Sequence, residues 1–248
     1  MRTFLFLLLL VFASCNQKET SLTAQQIIDK SMIVSGADKV FNSQIAFTFR
    51  DKEYLALRKK NGIFKLFRAF KDEKLGMVSD GVLNNGFERH VNGHLFKVPD
   101  SMAVKYTSSV NSVHYFSVLP YGLNDKAVRK KLLQETSIKE TPYYKVQITF
   151  TEDGGGEDFE DVFIYWIDKT TFKIDYLAYS FHVDGGGMRF REATNERVVN
   201  GIRFVDYNNY KAKNASTKLE NLDKAFENNG LNKLSEINLE NVSVKILN

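Results

Sequence analysis

From Gln44 onward, apolar and polar residues alternate with a period of two: Ile45, Phe47 and Phe49 are interleaved with Ala46, Thr48 and Arg50. Such alternation marks half-buried β-strands. Strand-like runs follow at Glu53 to Lys59, Ile63 to Phe70, Gly76 to Ser79, Phe87 to Val91 and His94 to Val98. Asn61-Gly62 and Asn92-Gly93 stand where hairpins must close. The first half therefore reads as a β-meander. Ahead of it, Thr23 with Gln26 three residues on forms a capping box, and Ile27, Ile28, Met32 and Val34 fall at helical spacings before Gly36. After Pro99-Asp100-Ser101, Met102, Tyr106, Val110, Val113 and Phe116 recur every three or four residues, as one stripe of a helix packed on the sheet. That helix runs into Val118-Leu119-Pro120-Tyr121-Gly122-Leu123, an apolar loop placed either to cover a core or to gate a cavity.

The second half returns to period two. Tyr144, Val146, Ile148 and Phe150 alternate with Lys145, Gln147 and Thr149, and further strands are predicted at Val162 to Ile167, Lys173 to Val183, Met188 to Arg197 and Ile202 to Lys211. The run Val162-Phe163-Ile164-Tyr165-Trp166-Ile167 is apolar on both faces, which predicts a central strand with no solvent-facing side. A polar helix at Thr217 to Asn228 and a closing strand near Ile237 to Ile246 complete the pattern. Strands and helices do not alternate regularly, so one antiparallel domain is expected over two domains or an α/β barrel.

Composition supports a β-rich reading. The 248 residues include 20 Phe, 11 Tyr and only 3 Pro, an aromatic share of 13% that favours strands. The formal net charge is +4 with the signs interspersed, which gives no basic track for nucleic acid. The single cysteine excludes an internal disulfide framework and any cysteine-based zinc cluster.

That cysteine follows a secretory pattern. Arg2 supplies a positive start, Phe4 to Phe12 an apolar run too short to span a bilayer, and Ala13-Ser14-Cys15 follows at once. Phe12-Ala13-Ser14-Cys15 resembles a bacterial lipobox, in which the cysteine is lipid-modified and becomes the new first residue. The expected organisation is a signal peptide at 1–14, a lipidated Cys15 with a tether to residue 21, and one domain over 22–248. The expected partners include a membrane held through Cys15, since acyl chains contribute about 0.8 kcal/mol per buried CH₂.

The order of elements, an N-terminal helix, a meander, a mid-chain helix and a second meander, resembles the half-barrel of the LolA/LolB-like lipoprotein carriers. Three stretches, Ser109-Val110-Asn111-Ser112-Val113, Leu119-Pro120-Tyr121-Gly122-Leu123-Asn124-Asp125 and Asp184-Gly185-Gly186-Gly187-Met188-Arg189-Phe190-Arg191-Glu192, are similar to an uncharacterised family of Bacteroidota lipoproteins. The resemblance implies a mainly β (α+β) fold, a curved antiparallel half-barrel with an N-terminal helix and a mid-chain helix on its concave face. It implies an envelope location, outer-membrane-anchored, and ligand carriage by analogy.

The repeated Asp153-Gly154-Gly155-Gly156 and Asp184-Gly185-Gly186-Gly187 marks two loops or bulges, and the alternation of loops in a meander puts both at one edge of the sheet. Carboxylates there suit a hard cation, glycine N–H groups with Arg189 and Arg191 suit an anionic head group, and a pair of solvated loops is the plain alternative. His90, His94, His114 and His182 make no zinc signature, because Asn92-Gly93 puts a turn between the first two. A lining of Phe47, Phe49, Leu55, Leu57, Phe64, Leu66, Val146, Ile148, Tyr165, Tyr176 and Tyr179 is expected on the concave face, as packed core or as a pocket.

The expected function is binding or carriage of a hydrophobic or amphiphilic small molecule, with the mid-chain helix and its loop as a lid. Its residues are Phe47, Phe49, Phe64, Tyr106, Val110, Val113, Tyr165 and Tyr179 for the apolar part, and Asp153, Asp184, Arg189 and Arg191 for the polar end. No cofactor, metal or catalytic group is expected. The alternatives are a scaffold lipoprotein that presents its sheet to a protein partner, and a hydrolase using His182 with Asp184 or Glu192. Mass spectrometry of the membrane fraction is expected to find Cys15 acylated; an unmodified Cys15 on soluble protein would refute the anchor.

Overall fold

A computed structural model describes residues 21–154, 159–182 and 185–247. Thr23 caps helix α1 (Ala24–Val34): its hydroxyl accepts from the Gln26 N–H, and the Gln26 side chain accepts from the Thr23 N–H. The short α2 (Ala37–Val40) leads into β1 (Ser43–Phe49), β2 (Lys52–Arg58), β3 (Phe64–Asp72), β4 (Gly76–Leu83), β5 (Gly86–Val91) and a two-residue β6 (His94–Leu95). Helix α3 (Asp100–Ser117) separates this meander from β7 (Val128–Leu132), β8 (Thr136–Ile138), β9 (Thr141–Phe150), β10 (Val162–Asp168), β11 (Ile174–Phe181), β12 (Gly187–Val199) and β13 (Ile202–Ala212). A 3-10 turn (Leu219–Asn221), α4 (Leu222–Glu227), β14 (Leu231–Ile237) and β15 (Glu240–Ile246) follow.

The strands form two antiparallel sheets. The first has the order β15-β1-β2-β3-β4-β5-β6; the second has the order β14-β13-β12-β11-β10-β9-β7, with β8 also paired to β9. Together they make a curved half-barrel that does not close, with α3 on its concave side against β3, β4 and β5. Among the described residues no helix is long and apolar enough to cross a membrane.

The strand expected near Ile237 to Ile246 is in fact two strands in different sheets. A break at Asn238-Leu239 lets β14 edge the second sheet while β15 returns to pair with β1. Asp206 fixes the crossing: its carboxylate accepts the Leu239 N–H at 2.9 Å and pairs with Arg197 at 3.0 Å, and Arg197 also donates to the Leu239 carbonyl. Strand β7 (Val-Arg-Lys-Lys-Leu) escapes a pattern reading because it is a sheet edge, where three consecutive cations break the alternation and discourage further pairing. The predicted run His94 to Val98 shortens to His94–Leu95.

A two-residue turn decides which face of β2 points inward. Arg50 and Asp51 both have positive φ (49° and 58°), so Phe49 lies opposite Lys52 and Phe47 opposite Tyr54. The inward residues of β2 are therefore Tyr54, Ala56 and Arg58, and the expected inward placement of Leu55 and Leu57 is corrected. Strand β10 is buried on both faces, as its apolar run requires. Phe163, Tyr165 and Ile167 point to the concave side, and Ile164 and Trp166 to the outer side, where Tyr176 also lies, against its expected concave placement. That outer face is closed by α4. Asp223, wholly buried, accepts from Trp166 Nε1 and Lys145 Nζ (3.1 Å each), and Lys145 also donates to the Glu220 carbonyl.

Polar contacts hold α3 to the first sheet. Asp80 on β4 is 0% exposed and receives Arg68 of β3 at 2.5 Å and Arg89 of β5 at 2.6 Å. Arg68 also donates to Ser109 of α3 at 2.7 Å, and the Arg89 guanidinium lies 3.8 Å from the Tyr106 ring centroid. His114 Nε2 donates to the Phe67 carbonyl at 3.0 Å, with its ring edge-on to Phe47 and Tyr54. Removing Asp80 leaves two buried guanidinium charges without their acid, so Asp80→Ala is expected to lower the unfolding free energy by about 3–5 kcal/mol in a urea titration. A loss near zero would mean that the cluster does not hold the helix. Burial lowers the His114 pKa from 6.5 to about 3. The unfolded chain takes up this proton near 6.5, so the neutral ring contributes stability that is complete above that pH and is lost as pH falls toward 3. Between pH 7 and pH 5 the native protein is expected to lose more stability than His114→Gln; equal losses would contradict this.

Candidate functional site

The anchoring of α3 leaves its other side turned to the second sheet across a gap. Val110, His114 and Ser117 bury the side facing the first sheet, and Val113 and Phe116 face the gap. The opposite wall is the concave face of the second sheet, and its residues alternate because a strand turns every second side chain to one side. It comprises Phe163 of β10, Tyr179 and Phe181 of β11, Arg189 and Arg191 of β12, and Val205 and Tyr207 of β13. Phe49 from the first sheet, with Ile237 and Leu239 from the crossing, lines the rest of what is a partly open cleft. The resulting cavity measures about 1070 Å³.

Its interior is aromatic. Phe163 stacks on Tyr179 at 5.5 Å and meets Phe150 and Tyr115 edge-on, and Phe116 lies 5.3 Å from Tyr179. The Tyr115 and Tyr165 hydroxyls share a hydrogen bond of 3.0 Å, and burial pushes both pKa values up, so the pair stays neutral. Arg191 lies against this surface: its guanidinium is 4.0 Å from the Phe116 centroid, and Nη2 donates to the Tyr179 hydroxyl at 2.9 Å. A second, smaller cavity of about 360 Å³ lies between the Pro120 loop and β2–β3, lined by Arg58, Phe64, Tyr121 and Asp125 among others. Burial pushes the Arg58 pKa down and that of Asp125 up.

Of the residues expected from sequence, Phe49, Val113, Tyr179, Arg189 and Arg191 meet around the larger cavity. The others do not line it. Phe47 is buried core, stacked 5.2 Å from Tyr54; Val110 and Tyr165 are fully buried; Tyr106 covers Arg89; and Phe64 borders the smaller cavity. Asp153 is exposed on the β9–β10 connection, while Asp184 and Cys15 lie outside the described residues. The expected single stripe of α3 divides between two sides, because the side facing the first sheet includes His114 and Ser117, polar residues whose burial no apolar pattern signals. Phe116, in that stripe, and Phe150, in the predicted β9 alternation, reach the cavity. The sequence pattern does not distinguish Phe163, Phe181, Val205, Tyr207 and Leu239, which also line the cavity, because alternation shows that two faces exist but not which one meets the helix.

The two glycine loops do share an edge. Asp161, at the end of the first, lies 3.6 Å from His182 Nδ1 at the start of the second, and Gly185 and Gly186 adopt the positive φ that glycine tolerates. Of the two expected partners of His182, Asp184 lies outside the described residues and Glu192 is not brought to it. Glu192 stands opposite Tyr176, six residues along β11 from His182, which is about 20 Å at 3.3 Å per residue. Its carboxylate is occupied by Lys139, Asn208 and Tyr210. The Val118 to Leu123 loop packs inward, with Leu119 and Leu123 buried against Ile27 and Ile28 of α1, so it covers core.

Among solved structures, the chain resembles a DUF1329 family protein from Desulfovibrio piger at 10% identity and a TM-score of 0.52, covering 91% of this chain and 95% of that one. This shows a shared fold. It also resembles, at 8% identity and a TM-score of 0.49, a domain from Vibrio parahaemolyticus provisionally assigned as an outer membrane lipoprotein-sorting protein, covering 90% of this chain and 93% of that one. No curated protein matches. The model of DUF6503, a family of unknown function, matches residues 1–239 of the 248, and the chain belongs to that family.

Proposed function

We propose that the protein binds or carries a hydrophobic or amphiphilic ligand within the half-barrel, tethered at the cell envelope through Cys15. The observation that carries this reading is the cavity itself. At about 1070 Å³ it lies just above the roughly 300–1,000 Å³ of small-molecule sites, and aromatic rings form much of its lining. A side-chain core of this size fills its interior to near crystal density. A gap this large between a fixed helix and an aromatic sheet face instead suits a guest with apolar surface. The helix serves as a standing wall, since Asp80 and His114 tie it to the first sheet. Exposed Val104 and Lys105 of the helix border the cavity and mark a route to solvent. Carriage by a lipid-anchored protein fits such a pocket, because the tether keeps the body in water close to a source of apolar molecules.

The test is displacement of a neutral fluorescent probe such as N-phenyl-1-naphthylamine by single-chain lipids, with lipid extraction of the purified protein. Probe binding with displacement is expected. Ser108→Trp, placed on the cavity wall, is expected to weaken probe binding by roughly tenfold, about 1.4 kcal/mol, while leaving the fold intact by circular dichroism. A protein that takes up neither probe nor lipid would overturn the reading.

A further inference from the structure

Among the described residues five arginines are buried, and their partners differ. Arg68 and Arg89 share Asp80, and Arg203 meets Glu196 at 2.9 Å and Asp175 at 3.5 Å. Arg58, in the smaller cavity, has no carboxylate within ion-pair distance among the described residues; it lies 5.3 Å from the Tyr121 ring centroid, and its Nη1 is buried without a partner. Arg191 is 8% exposed, and among the described residues no carboxylate lies within ion-pair distance of it. Its Nε is buried without an acceptor, and its neighbours are the rings of Phe116, Tyr179 and Tyr207. A guanidinium stays charged at any physiological pH, so burial among aromatic rings leaves a positive charge whose hydration is lost and whose hydrogen bonding is incomplete. Cation–π contact offsets part of that cost.

The surrounding charges lean the same way. Arg189, two residues earlier on the same face of β12, lines the same cavity with its guanidinium 5.0 Å from the Phe181 centroid, and it too has no carboxylate within ion-pair distance among the described residues. Lys105 of α3 lines the cavity as well. The acid on this lining is Asp161, engaged with His182. Three cations to one carboxylate, set along an aromatic cleft, are complementary to a molecule with an apolar body and one negative end.

We infer that the ligand is an anionic amphiphile, a carboxylate or phosphate carried on an apolar chain, and that Arg191 is the group that meets its charge. The inference rests on the carrier reading and adds the chemical class of the guest. The anion supplies the acceptor that Arg191 Nε lacks, Arg189 adds a second cation two residues away toward the glycine-loop edge, and the chain lies against Phe116, Phe163 and Tyr179. Charge-assisted hydrogen bonds to a guanidinium inside such a pocket are stronger than neutral ones, which separates an acid from an alcohol of the same length.

The experiment uses the mature protein with N-phenyl-1-naphthylamine as the neutral reporter and compares displacement by laurate, dodecyl phosphate and dodecanol. At least one anionic form is expected to bind roughly tenfold or more tightly than dodecanol, and the stronger of the two identifies the head group. In Arg191→Gln that preference is expected to fall toward one. Equal binding of dodecanol and both anions by the native protein would overturn the anionic class and leave the carrier reading standing. A preference that survives in Arg191→Gln would overturn the role given to Arg191. Failure of all three compounds to bind would overturn the carrier reading, and this inference with it. The acid-to-alcohol comparison on the native protein needs no variant, so it decides the class even if Arg191→Gln does not fold.

Discussion

Asp80 is the point on which the architecture turns. It is a fully buried carboxylate that gathers a guanidinium from each neighbouring strand, and both guanidinium groups then reach up to α3, one through Ser109 and the other through the Tyr106 ring. A helix laid on a sheet by apolar contact alone can slide until its stripe is covered as fully as possible. Directional bonds set it at one place instead. His114 adds a second fixed point nearer the C-terminal end, through the Phe67 carbonyl. With the helix held to the first sheet in this way, the second sheet curves away from it and the space between them stays open.

The two faces of the second sheet show the contrast between a closed surface and an open one. On the outer side, α4 brings Leu222 and Phe226 over Trp166 and Phe190, and the buried Asp223 ties Trp166 and Lys145 together. On the inner side the aromatic rings meet the helix only in part. The same backbone alternation supplies both faces, so the difference lies in what packs against each. A wall of aromatic rings that lacks a complete partner costs free energy unless another apolar surface covers it, which is the physical basis for a guest in the cavity.

The fold shared with the DUF1329 family protein shows that this arrangement of sheets and helix is built by a very different sequence. Membership of DUF6503 brings no activity with it, since that family is one of unknown function. The chemistry must therefore be read from the cavity, and there the distribution of charge is the informative feature. Among the described residues most buried cations have an acid to meet them; Arg58 and Arg191 have rings instead, and of the two only Arg191 lines the larger cavity.

Much of the architecture was legible in the chain alone. The capping box at Thr23, the two-sided apolar run of β10 and the common edge of the two glycine loops all follow from local spacing, because capping and alternation involve residues close in sequence. Phe49, Val113, Tyr179, Arg189 and Arg191 were recognisable as candidates on the same grounds. Tertiary structure decided the rest. The Arg50-Asp51 turn chose which residues of β2 face inward, and buried polar groups, His114 and Asp80 above all, chose which side of α3 meets the first sheet. The crossing at Leu239 sent β14 and β15 to different sheets. Each of these depends on partners far apart in the chain, and whether the interior is filled or hollow depends on all of them at once. Periodicity counts faces; only the assembled sheets and helix determine what stands opposite each one.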